Sequence, residues 1–87
     1  MLIGILGAGQ LGRMLALAGL PLGFRFRFLD PSPDAVAAHV GELIFGDFTD
    51  PAALARFARG LSVCTFEFEN VPAAALRAVA AHCPVWP

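Results

Sequence analysis

The chain has 87 residues, 57% of them apolar and 15% charged, with a formal net charge of −1. That length suits one domain, spanning residues 1–87, and the apolar share excludes a disordered chain. The near-neutral balance leaves no basic footprint for nucleic acid or an anionic membrane. All six basic residues are Arg, so the Lys that a P-loop needs is missing.

Leu2 to Leu6 is a short apolar run ended by glycines, which predicts a buried parallel strand. Gly7 to Gly12 (GAGQLG) is a turn. Leu11 to Leu20 carries apolar residues round most of its circumference, as a helix packed on a sheet does. Gly19, Pro21 and Gly23 stop it. The apolar N-terminal stretch has no basic leader, and Arg13 splits it, so it reads neither as a signal peptide nor as a membrane span, which needs roughly 18 apolar residues.

Phe24 to Leu29 (FRFRFL) alternates, with Phe24, Phe26 and Phe28 on one face and Arg25 and Arg27 on the other. Asp30-Pro31-Ser32-Pro33 breaks this second strand. Asp34 to Val40 predicts a short helix, and Leu43 to Phe45 a third strand. Thr49 or Asp50 can cap the next helix, with Pro51 in its first turn; it runs to Arg59, and Gly60 ends it. Val63 to Phe66 is a fourth strand, Ala73 to Ala81 a helix of strong formers, and Val85 and Trp86 open a fifth strand. Strands alternating with helices at this spacing predict an α/β fold. It is a Rossmann-like parallel sheet of four to five strands with helices on both faces, in the order 3-2-1-4.

Gly7-Ala8-Gly9-Gln10-Leu11-Gly12 is G-x-G-x-x-G between a strand and a helix. Gly7 permits the tight turn, Gly9 lets a phosphate approach the backbone, and Gly12 lets the helix sit close to the sheet. The amides of Gln10, Leu11 and Gly12 then face an anion. The alternative is a packing turn without a ligand. Asp30, at the end of the second strand, is placed to hold an adenosine ribose or to make a turn before Pro31. Arg13 can pair with a phosphate or simply be solvated.

Glu67 and Glu69 are two apart, so on an extended chain they share a side. The predicted strand order brings them beside the glycine turn, where open α/β sheets bind ligands. Two carboxylates there suit a pyrophosphate poorly and favour a small ligand with a phosphate at one end, at the glycine turn, and amino and hydroxyl donors at the other. The alternative is a solvated loop with Glu69 or Asn70 capping the helix after Pro72. Cys64 and Cys83 lie in apolar surroundings and read as buried thiols in a reducing, cytoplasmic compartment. No His or Cys spacing suggests a metal site.

The segments ILGAGQLGRMLALA, FLDPSPDAVAAHV, GDFTDPAALARFA and TFEFENVP resemble the N-terminal domain of the N5-carboxyaminoimidazole ribonucleotide synthetases, of the ATP-grasp superfamily. The resemblance covers nearly the whole chain, and GQLGRM together with EFENVP is far more specific than the glycine motif alone. It implies an enzyme of purine biosynthesis. ATP phosphorylates bicarbonate to carboxyphosphate, and the exocyclic amine of 5-aminoimidazole ribonucleotide is then carboxylated. The N-terminal domain is expected to help hold the ribonucleotide, through Gly9, Gln10, Leu11 and Gly12 of the turn and Glu67, Glu69, Asn70 and Val71 of the acidic segment. A related formate-dependent glycinamide ribonucleotide transformylase uses the corresponding turn and first acid on its substrate, which favours Gln10, Leu11 and Glu67.

The family's ATP-grasp and C-terminal domains, with the Lys and acids that handle ATP and Mg, correspond to positions beyond residue 87. No catalytic residue, metal or cofactor is therefore expected of this chain, and no turnover by it alone. Its partners are expected to be the ribonucleotide and either the missing domains or a second copy, since a bare apolar docking surface associates. The rival readings are an NAD(P)-binding module, carried by the glycines and Asp30, and a non-catalytic interaction domain.

Overall fold

The computed structural model describes residues 1–67 and 71–86. Four strands, β1 (Leu2–Leu6), β2 (Arg25–Asp30), β3 (Glu42–Phe45) and β4 (Val63–Phe66), form one parallel sheet in the order β3-β2-β1-β4. The chain steps outward from β1 to β3, then returns past β1 to β4. Right-handed crossovers put the connections of these two legs on opposite faces. On one face lie α1 (Gln10–Gly19) and a 3₁₀ turn at Val36–His39, packed on Ile5, Phe26 and Phe28. On the other lie α2 (Pro51–Ala58) and α3 (Ala73–Ala80), packed on Leu6, Leu29 and Cys64.

The Phe and Arg faces of β2 part as the alternation predicts. Phe26 and Phe28 are buried, and burying one such ring is worth about 1.5–3 kcal/mol. Arg27 points to the α2 side, where its task is more specific than covering apolar surface. Its Nε donates to Glu42 of the neighbouring strand at 2.7 Å, and its Nη1 donates to the carbonyls of Phe57 and Arg59 at the end of α2. A cation there offsets the partial negative charge of the last turn. α2 accordingly stops at Ala58, one residue before the predicted Arg59, and Gly60 turns the chain with φ 77°. Asp50, rather than Thr49, caps the other end by accepting from the Ala52 amide at 3.0 Å.

Residues 34–40, predicted as a helix, form only the 3₁₀ turn at Val36–His39. Ala35 is extended, with ψ 144°, and the bonds that follow run from Ala38 to Ala35 and from Val40 to Ala37. The Ala37 amide donates to the Ala8 carbonyl instead of to a preceding turn of helix. The fifth strand is present only as its beginning. Val85 bridges Cys64 in parallel, with bonds from the Cys64 amide to Pro84 and from the Trp86 amide to Cys64.

Candidate functional site

β1 and β4 are paired so that Leu6 lies opposite Phe66. The next residue on each strand, Gly7 and Glu67, is therefore side by side at the C-terminal edge of the sheet. The Glu67 amide donates to the Leu6 carbonyl at 3.0 Å, which fixes the backbone from which the carboxylate reaches over the turn. Gly7 turns the chain with φ 104°, a conformation that side chains rarely permit. Gly9 is the N-cap of α1 and supplies no capping side chain. In its place Glu67 Oε1 accepts from the Gly12 amide at 2.7 Å, across 55 residues of sequence.

The three glycines of the motif form a cup for that carboxylate. A Cβ at Gly7 would lie 2.8 Å from Glu67 Oε2, one at Gly9 3.1 Å from the same oxygen, and one at Gly12 3.1 Å from Oε1. The Gly12 Cβ would also meet the Phe28 ring at 3.2 Å, so this glycine sets the closeness of helix and sheet as well. The structure thus changes the charge reading of the turn. An anion does sit on the helix start, and it belongs to the protein. A phosphate drawn into the same cup would face an ionised carboxylate, and two like charges 4 Å apart repel by about 4 kcal/mol at an effective dielectric of 20.

The remaining candidate residues divide by position. Gln10 and Leu11 are exposed at the mouth of the cup, Gly9 and Glu67 are partly buried, and Gly12 is buried. Val71 is partly buried against the α2–α3 core. Glu69 and Asn70 lie outside the described residues. The α1 dipole end that the motif predicts as an anion site is therefore brought together with one member of the acidic pair, Glu67.

The motif alone leaves Asp30 open between a ribose ligand and a turn residue. Its Oδ1 accepts from the Ser32 amide at 2.9 Å, which makes the turn, and its Oδ2 accepts from the Ala8 amide at 2.8 Å. Nothing in the spacing of Ala8 and Asp30 announces that second bond. Its only signal is that parallel neighbours β1 and β2 end level with each other, Leu6 opposite Leu29. Arg13, read as solvated or phosphate-facing, donates through Nε to His39 Nε2 at 3.4 Å and ties α1 to the 3₁₀ turn.

Cys64 and Cys83 are both free and buried. Burial, with the neighbouring Cys83, pushes the Cys64 thiol up to about 12, and burial raises Cys83 as well. Neither thiol is activated for attack at neutral pH. Among the described residues, no group of three or more His, Cys, Asp or Glu is placed to hold a metal ion, and no helix is long and apolar enough to cross a membrane.

Comparison with known proteins agrees with this fold. Residues 1–87 match the family model of the ribonucleotide synthetase preATP-grasp domain. The chain is 53% identical over 87 residues to an N5-carboxyaminoimidazole ribonucleotide synthase of Pseudomonas aeruginosa, covering all of this chain and 24% of that protein. It superposes on the crystal structure of N5-carboxyaminoimidazole ribonucleotide synthetase from Thermus thermophilus with a TM-score of 0.94 and 64% identity, over 98% of this chain and 24% of that one. A third structure is the Aspergillus clavatus N5-carboxyaminoimidazole synthase in complex with ADP and 5-aminoimidazole ribonucleotide. It matches with a TM-score of 0.84 and 31% identity, over 99% of this chain and 23% of that one. The chain spans about a quarter of the length of the relatives it matches.

Proposed function

The chain belongs to the preATP-grasp domain family of ribonucleotide synthetases, and on that premise we propose that it is the ribonucleotide-holding part of an enzyme that carboxylates 5-aminoimidazole ribonucleotide. The observation that carries the proposal is the Glu67 carboxylate held on the Gly12 amide at 2.7 Å. One amide bond leaves the carboxylate further lone pairs for ligand donors. An aminoimidazole ribonucleotide offers amine and hydroxyl donors of the kind a fixed carboxylate binds through charge-assisted hydrogen bonds. Its phosphate stays out of the cup that Glu67 fills. Gln10 and Leu11 line the mouth, and Glu69, Asn70 and Val71 follow Glu67 in the same segment.

In this reading the domain binds and orients, and the chemistry belongs to the whole ligase. ATP, Mg and bicarbonate act there, in purine biosynthesis. The 87-residue chain alone gives no ADP when supplied with ATP, bicarbonate and the ribonucleotide, and turnover by the purified chain would contradict this. Calorimetry tests the binding role directly. Heat of binding is expected with 5-aminoimidazole ribonucleotide and none with NADH, because a pyrophosphate drawn to the glycine turn would face the Glu67 carboxylate held there. Binding of NADH alone would favour the dinucleotide reading.

The apolar exposure of α1 and of the residues just after it supports a further part of the proposal. Met14 is 62% exposed, and Leu22, 72% exposed, lines a groove of about 290 Å³ with Ile3, Ile5, Leu15, Phe24 and Thr65. The chain on its own self-associates through this face, and a monomeric mass by light scattering at high concentration would contradict it. The two free thiols suit a reducing compartment such as the cytoplasm.

A further inference from the structure

We infer that Asp30 is a positioning residue for Glu67. It acts by gripping the middle of the glycine turn rather than by touching a ligand. The inference rests on the reading of Glu67 as the group that receives the ligand's donors. Ala8 stands between Gly7 and Gly9, the two walls of the cup that meet Glu67 Oε2. Ala8 is fully buried and held at both polar atoms. Its amide donates to Asp30 Oδ2 at 2.8 Å, and its carbonyl accepts from the Ala37 amide at 3.0 Å. The Gly7 amide donates to the Leu29 carbonyl at 2.8 Å, so the residue just before Asp30 secures the turn as well.

The other Asp30 oxygen is occupied by the Ser32 amide at 2.9 Å, which stops the carboxylate from rotating away. A turn with three glycines has little stiffness of its own. Its shape comes from these outside bonds, and the Gly12 amide that presents itself to Glu67 Oε1 is set by that shape. Of the contacts on the Ala8 peptide, the Asp30 bond is the one made by a side chain and by a charge. Such bonds are shorter and stronger than neutral ones. The chain of action runs from Asp30 to Ala8, to the walls of the cup, and so to the direction in which Glu67 offers its free lone pairs. Ligand affinity then depends on Asp30 although Asp30 touches no ligand.

The test uses the full 87-residue chain, isotope-labelled for amide spectra. The variants are Asp30→Ala, Asp30→Asn, and Arg27→Ala as a control that unties the end of α2 away from the turn. In Asp30→Ala the Gly12 amide proton is expected to move upfield, towards its position in Glu67→Gln, and the Ala8 amide to exchange faster. Asp30→Asn keeps one acceptor oxygen and falls between wild type and Asp30→Ala. It also serves if Asp30→Ala does not fold. Affinity for 5-aminoimidazole ribonucleotide is expected to drop about tenfold or more in Asp30→Ala, the scale of one lost charged hydrogen bond. Arg27→Ala lowers the melting temperature and leaves both the Gly12 signal and the affinity in place. The inference is overturned if both Asp30 variants keep the wild-type Gly12 signal, or if Arg27→Ala moves it equally. If wild-type chain binds no ribonucleotide, the proposed function falls, while the Gly12 and Ala8 signals still decide the role of Asp30.

Discussion

The starts of α1 and α2 solve one problem in opposite ways. Each leaves amides without helical partners. At α2 the solution is local, because Asp50 caps the Ala52 amide two residues on. At α1 the N-cap is Gly9, which has no side chain, and the acceptor is Glu67, 55 residues away from the Gly12 amide it serves. A capping Asp or Ser at position 9 would hold the helix start locally, better than Gly by about a few tenths of a kcal/mol. The glycine leaves that place to a carboxylate delivered by another strand, at the sheet edge where ligands of this fold class bind. The Asp50 arrangement is structural. The Glu67 arrangement leaves the helix start to a charge brought from elsewhere in the chain, and the proposed function rests on that charge being a site rather than a cap.

The contrast can be broken most severely at Gly7. Its φ of 104° is unfavourable to any side chain, and a Cβ would fall 2.8 Å from Glu67 Oε2. Gly7→Val is expected to cost about 3 kcal/mol or more of stability by urea denaturation, since backbone strain of about 1–3 kcal/mol adds to the clash. An unchanged midpoint would mean that the turn is not held as described. Next in size is the pair of helix-start variants. Glu67→Ala is expected to weaken ribonucleotide binding about tenfold or more. Asp50→Ala should cost about 1 kcal/mol of stability and leave binding unchanged. If both variants lower affinity alike, the two helix starts do not differ in kind.

A smaller effect concerns the strand that carries Glu67. Cys64 on β4 has its thiol raised from 9.0 to about 12. The folded chain therefore keeps the proton that the unfolded chain loses. This contribution is complete below pH 9 and is lost as pH rises towards 12. The chain has no Lys and no Tyr, so the thiols are the only side chains titrating in that interval. Urea midpoints should fall between pH 9 and 10.5, and Cys64→Ala should flatten the fall. A midpoint independent of pH would contradict the burial of Cys64.

Much of the frame was legible in the sequence where short-range chemistry decides. Leu2–Leu6 and Val63–Phe66 are apolar runs of strand length with clear ends, and the structure has both at those bounds. The strand order follows from the alternation of elements and crossover handedness. It is also what placed Glu67 beside the glycines. The rest depended on bonds between distant residues. Propensity cannot announce that Ala37 gives its amide to Ala8, which shortens the helix expected at 34–40 to a 3₁₀ turn. Nor does the pattern FRFRFL reveal that Arg27 reaches the carbonyls closing α2. The glycine motif marks the turn but does not say which anion rests on it; among the protein's own groups it is the Glu67 carboxylate. Its residue types are the same whether the cup receives a phosphate or a carboxylate, and only the register of Leu6 with Phe66 decides between them.

The most direct measurement is a calorimetric titration of the wild-type chain and its Glu67→Ala variant with 5-aminoimidazole ribonucleotide, at a temperature where both are folded. Wild type is expected to bind, and the variant to bind about tenfold or more weakly. Equal affinity in the two would show that the carboxylate resting on Gly12 is only a remote helix cap.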